Sequence, residues 1–115
     1  MDISGQYLTY NEYRGLGGTI DLAPFNLLEY SARKEIDEET QGRLIGLDAQ
    51  VEEVKMCVVE LINLQISINN GVDMSGNVVN YNPEHIAKIK HEIIMRNLIN
   101  CRLENGTPYL YRGVE

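Results

Sequence analysis

The chain has 115 residues, 43% of them apolar and 23% charged, which is the composition of one ordinary globular domain and too little chain for two. With one Phe and no Trp, aliphatic side chains must build the core, and seven Tyr supply the aromatic surface. A formal charge of −7, its excess carried wholly by residues 1–60, argues against a grip on nucleic-acid phosphates, which needs Lys and Arg to displace counterions.

Leu8-Thr9-Tyr10-Asn11-Glu12-Tyr13 opens the first predicted helix. Thr9 stands at an N-cap with Glu12 three residues on, so each side chain can accept the other's free backbone N–H in a capping box. Leu8 and Tyr13 hold the two positions that clasp as a hydrophobic staple. Gly15, Gly17 and Gly18 end this helix within about two turns, because glycine enters the left-handed conformation that terminates helices. A second helix starts around residues 21–24, where Pro24 is tolerated in a first turn, and runs to about Gln41, closed by Gly42. Phe25, Leu28, Ala32, Ile36 and Thr40 or Glu39 share its inner face, with Glu29, Arg33, Lys34, Asp37 and Glu38 on the solvated side. In the link Arg43-Leu44-Ile45-Gly46-Leu47, the apolar residues are expected to cover a helix end rather than to form a strand.

Residues 48–70 are predicted to form the central helix. Val51, Val54, Val58, Leu61, Gln65 and Ile68 follow the spacing of one helix face, and Cys57, Ile62 and Leu64 widen that stripe beyond a usual surface helix. Asp48 is placed to cap the first turn, Glu52 and Glu53 lie near the positive end of the helix dipole, and Gly71 stands where helices commonly stop. Only three other helices, one of them very short, are expected to cover this stripe. Cys57, Ile62 and Leu64 are therefore candidates for an edge where core gives way to subunit contact.

Residues 71–81 break helical spacing and set Ser75-Gly76-Asn77 between two β-prone pieces, as a small hairpin or an extended flap. A lone hairpin is marginal in water, so Val72, Met74, Val78, Val79 and Tyr81 are candidate interface residues. Asn82-Pro83-Glu84 signals the last helix, with Asn as cap and Pro in the first helical position. It is expected to carry Ile86, Ile89, Ile93, Ile94, Leu98 and Cys101 inward to about Leu103, where Asn105-Gly106-Thr107-Pro108 stops it. The organisation expected is a mostly α fold: one small bundle of about four helices over residues 1–108, followed by an extended C-terminal tail over 109–115. The tail opens Tyr109-Leu110-Tyr111-Arg112. Tyr and Arg are favoured at binding hot spots, and the tail either docks on a partner or folds back on its own bundle.

Gly15-Leu16-Gly17-Gly18 follows a capped helix and is not followed by Lys-Ser or Lys-Thr, so it is read as a turn and not as a phosphate loop. His85 and His91 fall on different faces of one helix. Cys57 and Cys101, each inside an apolar helical pattern, read as buried free thiols rather than zinc ligands. The acidic run of Glu35, Asp37, Glu38 and Glu39 beside Arg33 and Lys34 is expected to be a solvated face and not a catalytic pair. A G-x-S-x-G elbow is absent from the sequence. No enzyme, metal or cofactor is expected. Apolar runs stay short of a membrane span, and residues 1–10 lack the basic start and hydrophobic block of a signal peptide, so a soluble protein made in the cytoplasm is expected.

Taken in order, Tyr7-Leu8-Thr9 with Glu12-Tyr13 and Leu16-Gly17-Gly18, then Ala32 with Ile36-Asp37, Thr40 and Arg43-Leu44, and finally Leu110-Tyr111-Arg112-Gly113-Val114, resemble the head-tail connector family of tailed phages and prophages, also called adaptor or head-completion proteins. The resemblance spans essentially the whole chain. It implies a small helical, non-catalytic virion protein, made in the bacterial host cytoplasm, that assembles as a twelve-fold homo-oligomeric ring beneath the portal protein at the head-tail interface. Such a ring extends the channel through which DNA passes without specific binding and offers a platform to the tail or the next connector protein. The resemblance further implies that Tyr109, Leu110, Tyr111 and Arg112 dock on the portal or a neighbouring subunit, and that residues 71–81 contact neighbours or line the channel. The alternative is a small acidic cytoplasmic helical regulator or inhibitor that binds a host protein through its acidic helix face.

Overall fold

A computed structural model describes residues 5–47, 49–73 and 75–110, and there the chain is mostly helical. Four helices follow one another: α1 Tyr10–Gly15, α2 Leu22–Thr40, α3 Glu52–Asn70 and α4 Pro83–Leu98. Extended pairing among the described residues is limited to two isolated antiparallel bridges, Val72 with Val78 and Arg102 with Pro108. Both α2 and α4 pack against α3 and against each other, and α1 packs against α2.

The short helix α1 is held at both ends by local chemistry. Thr9 Oγ1 accepts the Glu12 N–H at 3.1 Å and Glu12 Oε1 accepts the Thr9 N–H at 2.9 Å, closing the expected capping box. Leu8 and Tyr13 of the staple are both buried. The Tyr13 ring then lies across Gly18, where an added Cβ would sit 2.2 Å from the ring carbon Cζ. Beyond that crossing the Tyr13 hydroxyl accepts the N–H groups of Thr19 and Ile20 at 3.1 and 3.2 Å. Gly18 is therefore a passage for a side chain as much as a helix stop. Phe25 completes an aromatic cluster, its ring centroid 4.9 Å from Tyr13 and 5.4 Å from Tyr10.

Phe25, Ala32, Ile36 and Thr40 of α2 face the core as their spacing predicts, with Leu28 partly covered. Helix α2 ends at Gln41 and Gly42, both left-handed, with φ 53° and 76°. Glu29 corrects the expected polar face, because it is fully buried. Its spacing is part of the cause, since Glu29 stands one turn after Phe25 and one before Ala32 on their face, and residues 5–8 cross α2 there and pair with it. Gln6 donates to Asn26 Oδ1 at 3.0 Å, the Tyr7 N–H donates to Glu29 Oε2 at 2.9 Å, and the Tyr7 hydroxyl donates to Asp37. Arg33 stands 3.1 Å from Glu29 Oε1, one helical turn on. Burial pushes the Glu29 carboxyl above its ordinary range, opposed by the Tyr7 N–H and the Arg33 charge.

Helix α3 begins at Glu52, later than predicted, with Val51 rather than residue 48 in the N-cap position and exposed. Asp48, expected as its cap, lies outside the described residues. Gly71 ends α3 in the left-handed region at φ 69°, where it was expected. Asn82 caps α4 by accepting the His85 N–H at 2.8 Å, with Pro83 first in the helix. Helix α4 stops at Leu98, short of the predicted Leu103, because Asn105-Gly106 is a hairpin turn as well as a helix stop. Gly106 takes φ 88°, Leu103 N–H donates to Thr107 O at 2.8 Å, and Tyr109 N–H donates to Cys101 O at 3.0 Å. The returning strand is fastened by Arg43, whose Nη1 donates to Pro108 O at 2.9 Å.

Two outcomes follow from these joints. Gly18→Ala forces the Tyr13 ring out of place and lowers stability by about 1–3 kcal/mol, whereas Gly15→Ala, which meets nothing within 4 Å, leaves it within about 0.5 kcal/mol in urea titrations. Glu29→Ala takes the acceptor from the Tyr7 N–H and the buried ion-pair partner from Arg33, and costs about 3–5 kcal/mol. A raised folded-state pKa also means that Glu29 contributes stability below the ordinary carboxylate range and loses it as pH rises through the raised value. Titrations across pH should accordingly show Glu29→Gln gaining on the wild type as pH rises through that window.

Candidate functional site

The most distinctive surface element is the turn between α3 and α4. It is built by backbone hydrogen bonds around one acidic side chain. Asp73 Oδ1 accepts the N–H groups of Ser75 and Asn77 at 2.8 and 2.9 Å, the Asp73 N–H donates to Asn77 O at 2.8 Å, and the Val79 N–H donates to Gly71 O at 3.0 Å. The Asn77 and Ser75 N–H groups hold the Asp73 carboxyl below its ordinary range. Gly76 supplies the left-handed corner at φ 88°. The base is pinned by the Tyr81 hydroxyl, which donates to Val72 O at 2.7 Å, while the Tyr81 ring stacks on His85 at 5.7 Å.

Of the flap residues singled out from the sequence, Val72, Val79 and Tyr81 are half-buried, and Met74 lies outside the described residues. Val78 is the presented side chain, 86% exposed, more than any other large apolar residue described. A stiff turn that shows one apolar group loses little conformational entropy when that group is covered.

Two groups of expected contact residues are found in the core instead. Cys57, Ile62 and Leu64, expected at a subunit edge, belong to the core with Val54, Val58, Val59 and Leu61. Burial pushes the Cys57 thiol up to about 12, and Cys101, half-buried beyond α4, is raised for the same reason. Tyr109 and Leu110, which the resemblance implies dock outward and which composition leaves equally open to folding back, are 4% and 3% exposed and sit in the same core cluster. Their burial follows from the hairpin and the Arg43 fastening, which a reading of 109–115 as one extended tail does not include. Tyr111 and Arg112 lie outside the described residues.

The acidic run is also less free than expected. Lys90 of α4 stands 3.3 Å from Glu35, His91 stands 3.1 Å from Glu39, and Asp37 receives the Tyr7 hydroxyl. His85 and His91 thus serve separate contacts, as their spacing predicts. At the opposite end of the α3–α4 pair from the flap, the link before α3 and the hairpin after α4 enclose an open cleft of about 740 Å³. Leu47, Val51, Leu103 and Tyr109 line it, with Arg102 and Glu104 at its rim. Leu44 of that link is buried as expected, while Ile45 and Leu47 are exposed. Sequence periodicity misses this cleft because its walls come from two non-helical segments distant in the chain.

No helix among the described residues is long and apolar enough to cross a membrane. Comparison of the chain with protein-family models, with curated proteins and with solved structures returns no match.

Leu110→Ala removes a core side chain and is expected to cost about 2–5 kcal/mol in chemical denaturation. A variant as stable as the wild type would return Leu110 to the surface.

Proposed function

We propose that this chain is a virion structural protein that forms a ring below the portal, joins the DNA-filled head to the tail and extends the DNA channel. The observation that carries the proposal is polar: an exposed apolar knob, Val78, and an open, partly apolar cleft lie at opposite ends of the α3–α4 pair. Helix α3 alone has 19 residues, about 28 Å of rise, so the knob of one chain is out of reach of its own cleft. Association through unlike faces of this kind is heterologous, the interface type from which a ring is built when the rotation between copies closes.

The residues that carry the family resemblance add support, because many of those described coincide with the joints of the fold. Tyr7, Leu8 and Tyr13 anchor the segment before α2, Thr9 and Glu12 form the capping box, and Gly18 passes the Tyr13 ring. Ala32, Ile36, Thr40, Leu44 and Leu110 are core, Asp37 receives Tyr7, and Arg43 fastens the C-terminal hairpin. Leu16 and Gly17 of the resemblance are on the surface, and Tyr111 to Val114 lie outside the described residues. The net charge of −7 suits a channel wall that lets DNA slide. A host-protein regulator acting through its acidic helix face finds less support, since Glu35, Asp37 and Glu39 are engaged within the chain.

Mixing the protein with portal-bearing, DNA-filled heads and imaging by electron microscopy tests the proposal. A ring at the portal vertex is expected. Val78→Asp should melt like the wild type, as exposed substitutions do within about 0.5 kcal/mol, yet fail to assemble. Wild-type protein that stays off such heads, while forming a one-to-one complex with a host protein, would overturn it.

A further inference from the structure

The chain carries two Asn-Gly pairs at exposed positions, Asn70-Gly71 at the end of α3 and Asn105-Gly106 at the tip of the C-terminal hairpin. Glycine has no side chain to hinder attack by its own backbone nitrogen on the carboxamide of the residue before it. Both glycine N–H groups are tied to a carbonyl three residues back, Gly71 to Ile68 at 3.1 Å and Gly106 to Leu103 at 2.8 Å, so that bond does not separate the two sites.

Side-chain direction does separate them. Asn70 is helical, and helical side chains lean toward the helix N-terminus, away from the following peptide. Asn105 is turned the other way: its Oδ1 accepts the Thr107 N–H at 3.0 Å, an Asx turn that folds the carboxamide over the peptide whose nitrogen must attack it. We propose that Asn105 is a self-modifying site, where the Gly106 nitrogen closes on the Asn105 carboxamide and the product loosens the hairpin that seats Tyr109 and Leu110.

In the first step the Gly106 nitrogen bonds to Asn105 Cγ, its proton passes to the carboxamide nitrogen, and that nitrogen leaves as ammonia. The product is a five-membered imide. Water then opens it at either carbonyl. Opening at Cγ gives aspartate, and opening at the main-chain carbonyl gives isoaspartate, in which the main chain runs through Cγ and is one carbon longer. No oxidant or reductant takes part.

The longer chain falls at the turn that aligns Leu103 N–H with Thr107 O and bridges Arg102 to Pro108. Tyr109 and Leu110 follow immediately, and both are core.

The test ages the full-length protein at mildly alkaline pH, in native buffer and in guanidinium, and maps both sites by peptide mass spectrometry with isoaspartate-specific methylation. In the native protein, modification at Asn105 should exceed that at Asn70 about tenfold, whereas the denatured chain should modify both at similar rates. The aged isoaspartate fraction should show a lower denaturation midpoint than fresh protein and than Asn105→Asp, and aged Asn105→Ser should keep its midpoint. Equal native rates, or faster loss at Asn70, would overturn the site. An isoaspartate fraction with an unshifted midpoint would overturn its effect on the core.

Discussion

The structure depends on covering α3 from every side. Val54, Cys57, Val58, Ile62 and their neighbours surround most of its circumference with apolar groups, and each such side chain gains roughly 1.5–3 kcal/mol by leaving water. Helices α2 and α4 pack against two flanks. The segments before α1 and after α4 complete the core with Tyr7 and Leu8 from one and Tyr109 and Leu110 from the other. A wide stripe that might have served a neighbouring subunit is instead enclosed by its own chain.

Bringing irregular segments into a core also brings in their backbone polar groups, which must be paired. Residues 5–8 meet this need through Glu29, which accepts the Tyr7 N–H, and through Asp37, which accepts its hydroxyl. The returning strand meets it through Arg43, which donates to Pro108 O, and through its own bridge back to Cys101 and Leu103. The burial of Glu29 is therefore a consequence of how the core is closed.

The helices were legible in the sequence wherever a local rule decides the outcome. Thr9 with Glu12, Asn82 with Pro83, and Gly71 are satisfied within one turn of chain, and no distant residue can reverse them. What the sequence did not disclose depends on distant partners. Glu29 was set on the polar side of α2 by its charge, although it stands four residues after Phe25 and three before Ala32 on their face, and the crossing of residues 5–8 supplies the partner that lets it be buried there. Whether Tyr109 and Leu110 dock outward or fold back stayed open because the Asn105-Gly106 turn was taken only as the end of a helix. The flap was legible as a break with turn chemistry, but its choice of Val78 as the exposed tip comes from the Asp73 and Tyr81 hydrogen bonds.

Tyr13 with Gly18, and Arg43 with the Pro108 carbonyl, join segments that helical periodicity treats separately. Native-state hydrogen exchange tests the enclosure of α3 most directly. If these segments complete one core, the amides of Tyr7 and Tyr109 should exchange with nearly the same free energy as those at the centre of α3, through a shared global opening. Exchange at Tyr7 or Tyr109 at a much lower free energy, with α3 still protected, would contradict the account and return those segments to the surface.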